Sequence, residues 1–297
     1  MLRGFYFALV AYIIWGFIPT YFKLVEFVGT VELLIHRILW AALFLLGVVL
    51  VGKHLPAVME AVKNKKVLFW LFVSGTVYGA NLLAFMWAVN HDRMLEASLG
   101  YYINPLCNVV LGYVILKERF RFLQKVAVGL AFVSVTFLLV MVNSEIPWIS
   151  FFLAIGFSIY GLVRKQVQVE AISGLFIETL LLVPLAVIFY ITTDNLQISY
   201  DITHLNLVYL MMGLGIISTI PLILFNIATR LIRYSTIGFI QYIEPTIVFF
   251  LAVYFFNEPL TETRLITFIC IWIALALFCY DGYRHEKIKH SQSKCII

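Results

Sequence analysis

Charged residues are scarce in this sequence. They make up 12% of the 297 residues, whereas hydrophobic residues make up 63%. Soluble domains contain about 25% charged and about 45–50% apolar residues, so this composition excludes an ordinary soluble fold. Cysteine is also rare: the four cysteines form no CxxC pair and lie mostly in apolar runs, which favours neither a disulfide framework nor a zinc site.

Several functional motifs are missing as well. The chain has no glycine-rich nucleotide-binding loop, and neither HExxH nor GxSxG occurs in it. The missing nucleotide loop argues against ATP as the energy source, and the other two absences argue against an intramembrane enzyme. We therefore expect no cofactor, no bound metal and no catalytic residue.

Long hydrophobic runs are what the sequence does contain. A membrane-spanning helix needs about 20 mostly apolar residues. Ten such runs can be recognised, at 4–22, 30–51, 67–89, 95–116, 126–142, 147–163, 174–192, 205–228, 235–256 and 265–281. No small-residue cleavage site follows the first run, which is predicted to be a retained helix and not a signal peptide. The sequence thus predicts an all-α integral membrane protein with ten transmembrane helices.

Basic residues fall mainly in alternate connecting segments, such as 53–66 and 117–125, and in the C-terminal tail. The positive-inside rule then places both termini in the cytoplasm. This distribution accounts for the net charge of +5 without a nucleic-acid partner.

The stretch 96–119 occurs twice in the chain. A shift of 140 positions places Pro105 on Pro245 and Glu118 on Glu258. Because a duplication of five spans makes the second half enter the membrane from the opposite side, the repeats are inverted. That arrangement is typical of secondary transporters whose site lies at the repeat interface. We predict a first five-helix repeat at 1–143, a second at 144–284 and a basic cytoplasmic tail at 285–297.

Charged residues within the predicted spans are candidate site residues, because a charge is unfavourable in hydrocarbon. Arg37 is placed to meet an anionic group, with a structural ion pair to Glu32 or Glu96 as the alternative. His36 is a candidate protonation switch. Glu244, far from both ends of its span, is predicted to be paired, protonated or facing a cavity.

Amides and aromatic side chains complete the candidate set. Tyr101 and Asn104 share one helix face beside Pro105. Asn81 either joins two helices or touches substrate, and Trp15 either packs closely or forms an aromatic wall. Glu96 and Glu178 are coupling candidates; the alternative is helix capping or pairing for Glu96 and an interfacial cap for Glu178. The predicted substrate-binding residues are Trp15, His36, Arg37, Asn81, Tyr101, Tyr102, Asn104, Gln241, Tyr242 and Glu244; the coupling candidates are His36, Glu96 and Glu178; the predicted helix breaks are Pro19, Pro105, Pro221 and Pro245.

Three blocks of the sequence resemble a known family. WGFIPTYFK at 15–23, LEASLGYYINPL at 95–106 and STIGFIQYIEPT at 235–246 are similar to the RarD branch of the EamA family, in the drug/metabolite transporter superfamily. The resemblance extends over roughly residues 4–283. It implies ten helices in two inverted repeats, a location in the bacterial inner membrane and transport of small metabolites or drugs. The family usually has a small residue where this chain has Glu244, which favours a role specific to this lineage.

Residues and resemblance together predict an exporter of small amphiphilic solutes that works by alternating access. Opposite charges around an aromatic lining suit an amino acid, and the family name is associated with chloramphenicol-like compounds. We expect the lipid bilayer and a small-molecule substrate as partners, protons as the coupling ion and a homodimer as a further assembly. The alternatives are a membrane-embedded sensor that does not transport and, less favoured, an intramembrane enzyme.

Overall fold

The computed structural model describes residues 2–25, 27–91, 93–142, 147–192, 205–255 and 261–294, and every regular element in these ranges is an α-helix. The helices are α1 (Leu2–Lys23), α2 (Thr30–Val51), α3 (Leu55–Lys63), α4 (Lys65–Asn90), α5 (Met94–Val114), α6 (Phe122–Val142), α7 (Trp148–Gln166), α8 (Ala171–Thr192), α9 (Leu205–Leu231), α10 (Tyr234–Gln241), α11 (Ile243–Tyr254) and α12 (Glu262–Lys294). The predicted repeat boundary at 143–144, the loop at 193–204 and Glu258 lie outside the described residues.

Nine stretches of the described chain are long and apolar enough to cross a membrane, with α10 and α11 together forming one of them. Helical backbone satisfies its own hydrogen bonds, which is what a segment in hydrocarbon requires. The helix α5 has 21 residues but is not among the nine, since Glu96, Asn104 and Asn108 reduce its apolar character. The all-helical membrane class is therefore confirmed, and the count of ten spans stays a prediction.

Three elements differ from the predicted spans. The short helix α3 was not predicted, because its nine residues are fewer than a membrane span needs. The run predicted at 235–256 divides into α10 and α11 at Tyr242. The last helix continues past residue 281, where the tenth span was predicted to end, to Lys294.

Most of the close packing joins a helix of the first half to a helix of the second. The helix α1 packs on α9 and α11, α4 and α5 pack on α7, α2 packs on α8, and α6 packs on α12. Small residues permit such contacts between membrane helices. A Cβ added to Gly215 of α9 would lie 2.8 Å from the backbone nitrogen of Ala41 in α2. The two halves therefore form one interlocked bundle.

The helices α5 and α10 run in opposite directions along a tight seam. A Cβ added to Gly238 would lie 2.6 Å from the carbonyl oxygen of Pro105, and one added to Gly112 would lie 3.2 Å from the backbone nitrogen of Ser235. The packing does not continue into α11: among the described residues, α5 makes no extensive contact with that helix. The two spans therefore diverge beyond Gln241, and the space between them is where the candidate site lies.

Candidate functional site

Tyr101 lies on α5 where that helix diverges from α11. Its side chain is 42% exposed, although it is close enough to Glu244 of α11 and Arg37 of α2 to interact electrostatically with both. Side chains of α2, α4, α5 and α11 therefore come together around Tyr101. We call the region bounded by Arg37, Tyr78, Tyr101 and Glu244 the chamber.

Arg37 donates a hydrogen bond from Nη2 to the hydroxyl oxygen of Tyr78 on α4, over 2.9 Å. The carboxylates considered as its partners are engaged elsewhere: Glu32 lies 3.9 Å from Nε2 of His36, and Glu96 lies 3.4 Å from Nη1 of Arg93. The structural ion pair considered for Arg37 is therefore wrong for both carboxylates. No ion pair in the described part of the chain includes Arg37.

Glu244 lies in the first turn of α11 and is half-buried. It is close enough to Tyr12 of α1 and Tyr101 of α5 to interact with both hydroxyl groups. The positive end of a helix dipole favours a carboxylate in the first turn. Within the described ranges, no ion pair includes Glu244.

The interruption between α10 and α11 explains why Glu244 lies at a helix start within a membrane span. Helix α10 ends at Gln241 and α11 begins at Ile243. Proline has no N–H group, so Pro245 cannot donate the helical hydrogen bond to the carbonyl of Gln241. The other three predicted breaks differ, since α1, α5 and α9 continue through Pro19, Pro105 and Pro221.

A cluster of buried amides joins α5 to the end of α10. Gln241 donates from Nε2 to Oδ1 of Asn104 over 2.5 Å, and Asn108 donates from Nδ2 to Oε1 of Gln241 over 2.7 Å. Asn104 also donates to the hydroxyl of Ser158 on α7 over 2.9 Å, and Tyr12 donates to Oε1 of Gln241 over 3.4 Å. Asn104 and Gln241, both predicted to bind substrate, therefore join α5 to α10 at the end of the seam that lies next to the chamber.

A second polar cluster surrounds Glu178 on α8. This residue is only 2% exposed, and its Oε1 lies 3.6 Å from Nε of Arg164 on α7, which is equally buried. Its carboxylate also accepts hydrogen bonds from the hydroxyl groups of Ser74 on α4 and Tyr160 on α7. Glu178 is the eighth residue of α8, so it lies inside the bundle and not at the helix end considered as an alternative.

Aromatic rings pack between the chamber residues and this cluster. The Trp15 ring lies 5.3 Å from that of Tyr12 and 5.7 Å from that of Phe225 on α9. The ring of Tyr78, which binds Arg37, lies 5.2 Å from the ring of Tyr160, which binds Glu178. Ring contacts therefore connect the two polar groups through the bundle interior.

The remaining predicted residues lie away from the chamber. The ring of Tyr102 packs edge-on against Phe268 of α12, with 5.6 Å between ring centres. Tyr242 is buried, and its hydroxyl has no hydrogen-bond partner among the described residues. Asn81 donates to the backbone carbonyl of Leu153 on α7 over 2.9 Å, which is the helix-joining role considered for it.

Four polar residues of these clusters were not predicted from the sequence: Tyr12, Tyr78, Asn108 and Arg164. Asn108 follows Asn104 by one helical turn on the same face, so that spacing was a signal. Arg164 precedes Lys165 at a helix end, where a basic pair is typical of a cytoplasmic boundary and does not indicate a buried ion pair. Nothing in the sequence distinguishes Tyr78 or Tyr12 from other tyrosines in apolar runs.

Comparison with known proteins adds independent information. The EamA-like transporter family matches two stretches of the chain, residues 2–140 and 145–280. The chain is similar to Protein RarD of Salmonella typhi, with 43% identity over 288 residues that cover 97% of this chain and 98% of that protein. It is 42% identical to an uncharacterized transporter of Pseudomonas aeruginosa over 285 residues, covering 95% of each. A crystal structure with 16% identity matches with a TM-score of 0.71 over 93% of this chain and 96% of its own, which indicates the same fold.

Proposed function

Because this chain belongs to the EamA-like transporter family, we propose that it exports small amphiphilic metabolites or drugs by alternating access. It is a multi-pass protein of the bacterial inner membrane, and a transporter of this kind has the bilayer and a small molecule as its partners. The observation that carries the proposal is the position of Arg37 and Glu244 around Tyr101, in a space between helices of both halves.

The opposite charges of the chamber favour a zwitterionic substrate. The guanidinium of Arg37 suits a carboxylate, because such charge-assisted hydrogen bonds are strong and directional. The carboxylate of Glu244 suits an amine. Trp15 and Tyr101 provide apolar surface for the body of the molecule. Amino acids are the first class to test, followed by chloramphenicol-like compounds.

The architecture proposed for this activity is ten spans in two inverted repeats with both termini in the cytoplasm. The helix α5 is the fourth of these spans and adds to the nine apolar stretches described above; α10 with α11 is its counterpart in the second half. The helix contacts support this correspondence. If α1 corresponds to α7 and α4 to α9, the contact between α1 and α9 is equivalent to the contact between α7 and α4. In the same way, the contact between α5 and α7 is equivalent to the contact between α11 and α1. The family model matches once in each half of the chain, which supports two repeats. The positive-inside distribution of charge supports the cytoplasmic termini.

Alternating access is supported by the different packing at the two ends of α5. At its C-terminal end, Glu118 accepts hydrogen bonds from the backbone N–H groups of Tyr234, over 2.7 Å, and Ser235, over 3.0 Å, and so caps α10. At its N-terminal end, α5 diverges from α11 beside Tyr101. We infer that the bundle is closed on the cytoplasmic side and open on the other.

Protons are the proposed coupling ion, and Glu178 is the candidate with the clearest mechanism. Protonation of its carboxylate would remove the charge that holds Arg164, and so loosen the contact between α7 and α8. His36 lies next to Arg37 in sequence and stays a second candidate, while Glu96 is paired with Arg93 at the start of α5. A homodimer is retained as a proposal.

The experiment that tests the function combines binding with flux. Purified protein is screened by thermal shift against amino acids, nucleosides, vitamins and chloramphenicol, and hits are assayed for uptake into proteoliposomes with and without a pH gradient. Transport that the gradient accelerates is the expected result. Binding without flux would instead support the membrane-embedded sensor.

Arg37 and Glu244 give the first specific prediction. Glu244→Gln is expected to weaken binding of the zwitterionic hit about tenfold to a hundredfold, because a hydrogen bond to a charged group contributes about 1.5–3 kcal/mol. It should leave binding of an amine-blocked analogue unchanged. Arg37→Gln should likewise weaken binding of the zwitterionic hit, but it should leave binding of a carboxylate-blocked analogue unchanged. Glu60→Gln, on the exposed face of α3, is the matched control, and equal losses for all three variants would argue against the chamber as the site.

A further inference from the structure

The short helix α3 connects two membrane-spanning helices at one face of the bundle. Three residues separate it from α2, and Asn64 alone separates it from α4. Asn64 accepts hydrogen bonds at Oδ1 from the backbone N–H groups of Lys66, over 3.1 Å, and Val67, over 3.2 Å, and so caps α4. Because α2 and α4 are both long and apolar enough to cross a membrane, α3 connects the ends of two candidate spans.

One face of α3 packs on the bundle. Val58 and Ala61 are buried in the hydrophobic core, and α3 contacts both α4 and α8. Nδ1 of His54, just before α3, lies 2.7 Å from Oε1 of Glu170, just before α8. These contacts fix the rotation of α3 about its own axis.

A second apolar stripe on α3 is about half exposed. Leu55, Met59 and Val62 follow one another at helical spacing and are 45%, 53% and 48% exposed. Exposed Glu60 lies off this stripe, on the opposite side of the helix. Such a helix, apolar on one face and polar on the other, lies in the interface of a membrane.

The flanks of α3 carry the charge that such an interface attracts. Lys53 precedes the helix, Lys63 ends it, and Lys65 and Lys66 follow Asn64; all four lysines are exposed. Basic residues next to a membrane-inserted helix bind anionic headgroups. We propose that α3 is a binding surface for anionic phospholipid, with Leu55, Met59 and Val62 among the acyl chains and the lysines at the phosphates.

Site-directed spin labelling tests the depth of α3. The four native cysteines are replaced by serine in the full-length protein, and single cysteines are introduced by Met59→Cys or, as the matched control, Glu60→Cys. In proteoliposomes that contain phosphatidylglycerol, the label at 59 should be at least threefold more accessible to oxygen than to a water-soluble nickel chelate, and the label at 60 should show the reverse. Val62→Cys gives a second position on the stripe. Water-exposed labels at both 59 and 62 would overturn the proposal and indicate a surface for a soluble partner.

Thermal unfolding in detergent tests the headgroup. Phosphatidylglycerol is expected to raise the unfolding midpoint more than phosphatidylcholine does. The triple variant Lys63→Gln, Lys65→Gln and Lys66→Gln should lose at least half of that difference. The control variant Lys117→Gln, Arg119→Gln and Lys125→Gln removes the same charge from another exposed basic segment. This variant should keep the full difference in unfolding midpoint between the two lipids. Equal losses in the two variants would show that α3 is not a specific surface for these lipids.

Discussion

At the scale of single residues, the charges inside the bundle are of two kinds. Arg164 and Glu178 are buried and paired with each other, whereas no ion pair in the described residues includes Arg37 or Glu244. An isolated charge in a membrane span is unfavourable unless it meets water or a ligand. The proposed function accordingly assigns coupling to the buried pair at Glu178 and substrate binding to the two residues around Tyr101.

The Arg164–Glu178 pair can be tested by removing one or both of its charges. Glu178→Gln is expected to lower the free energy of unfolding by about 3–5 kcal/mol, because Arg164 then stays buried without a countercharge. The double variant Glu178→Leu and Arg164→Met should recover most of that loss. Denaturant unfolding in detergent micelles measures both. If the double variant is as unstable as the single one, the pair is not the source of the effect.

Glu178→Gln also tests coupling, since glutamine imitates the protonated carboxyl group. Transport by this variant is expected to respond little to a pH gradient. Glu262→Gln, an exposed change at the start of α12, is the control and should leave the response intact. A response that survives in Glu178→Gln would remove this residue from the coupling mechanism.

At the scale of elements, the seam between α5 and α10 brings the two helix backbones into close contact. Gly238 permits it, because any side chain at that position would meet the backbone oxygen of Pro105. Gly238→Ala is therefore expected to separate the helices and lower the unfolding midpoint. Gly129→Ala is the matched control: no atom lies within 4 Å of the added Cβ, and alanine is favoured over glycine in a helix by about 1 kcal/mol. Thermal unfolding of the two variants should therefore shift in opposite directions.

The sequence predicted elements well where one dominant pattern determines them. Apolar runs of span length located nearly all the long helices, and the internal repeat identified Pro245, where a span is interrupted. The repeat also suggested a break at Pro105, but α5 continues through it. A proline ends a helix only if its neighbours leave the freed carbonyl without support, and those neighbours are known only from the tertiary structure.

At the scale of the whole molecule, both termini are proposed to lie in the cytoplasm. A fluorescent protein fused to the C-terminus is expected to fluoresce, and alkaline phosphatase fused there should be inactive, because it matures only outside the cytoplasm. As a control, phosphatase fused within the segment 193–204 should be active, since an odd number of proposed spans precedes it. Activity at both positions would contradict the proposed orientation.

The site was harder to predict than the fold. Arg37, Tyr101 and Glu244 stood out because charge and polarity are unusual in apolar runs, and the structure brings these three together. The sequence did not indicate that Tyr102 and Tyr242 would pack away from the chamber, or that Tyr78 would meet Arg37. The neighbouring helices determine which face of a helix packs toward the bundle interior. A span that is apolar on all sides has no hydrophobic periodicity from which this face can be inferred.

The interlocked packing of the two halves has a consequence for how the chain arose. The main contacts of α1, α2, α4, α5 and α6 are with helices of the second half, so neither half has a core of its own. If the halves are inverted repeats, as proposed above, a protein with only the first five spans would find the same contacts only on a second copy inserted in the opposite orientation. The contacts are then consistent with an origin from a short protein that paired with an inverted copy of itself. Expression of the two halves as separate polypeptides should accordingly rebuild the bundle, and either half alone should be degraded.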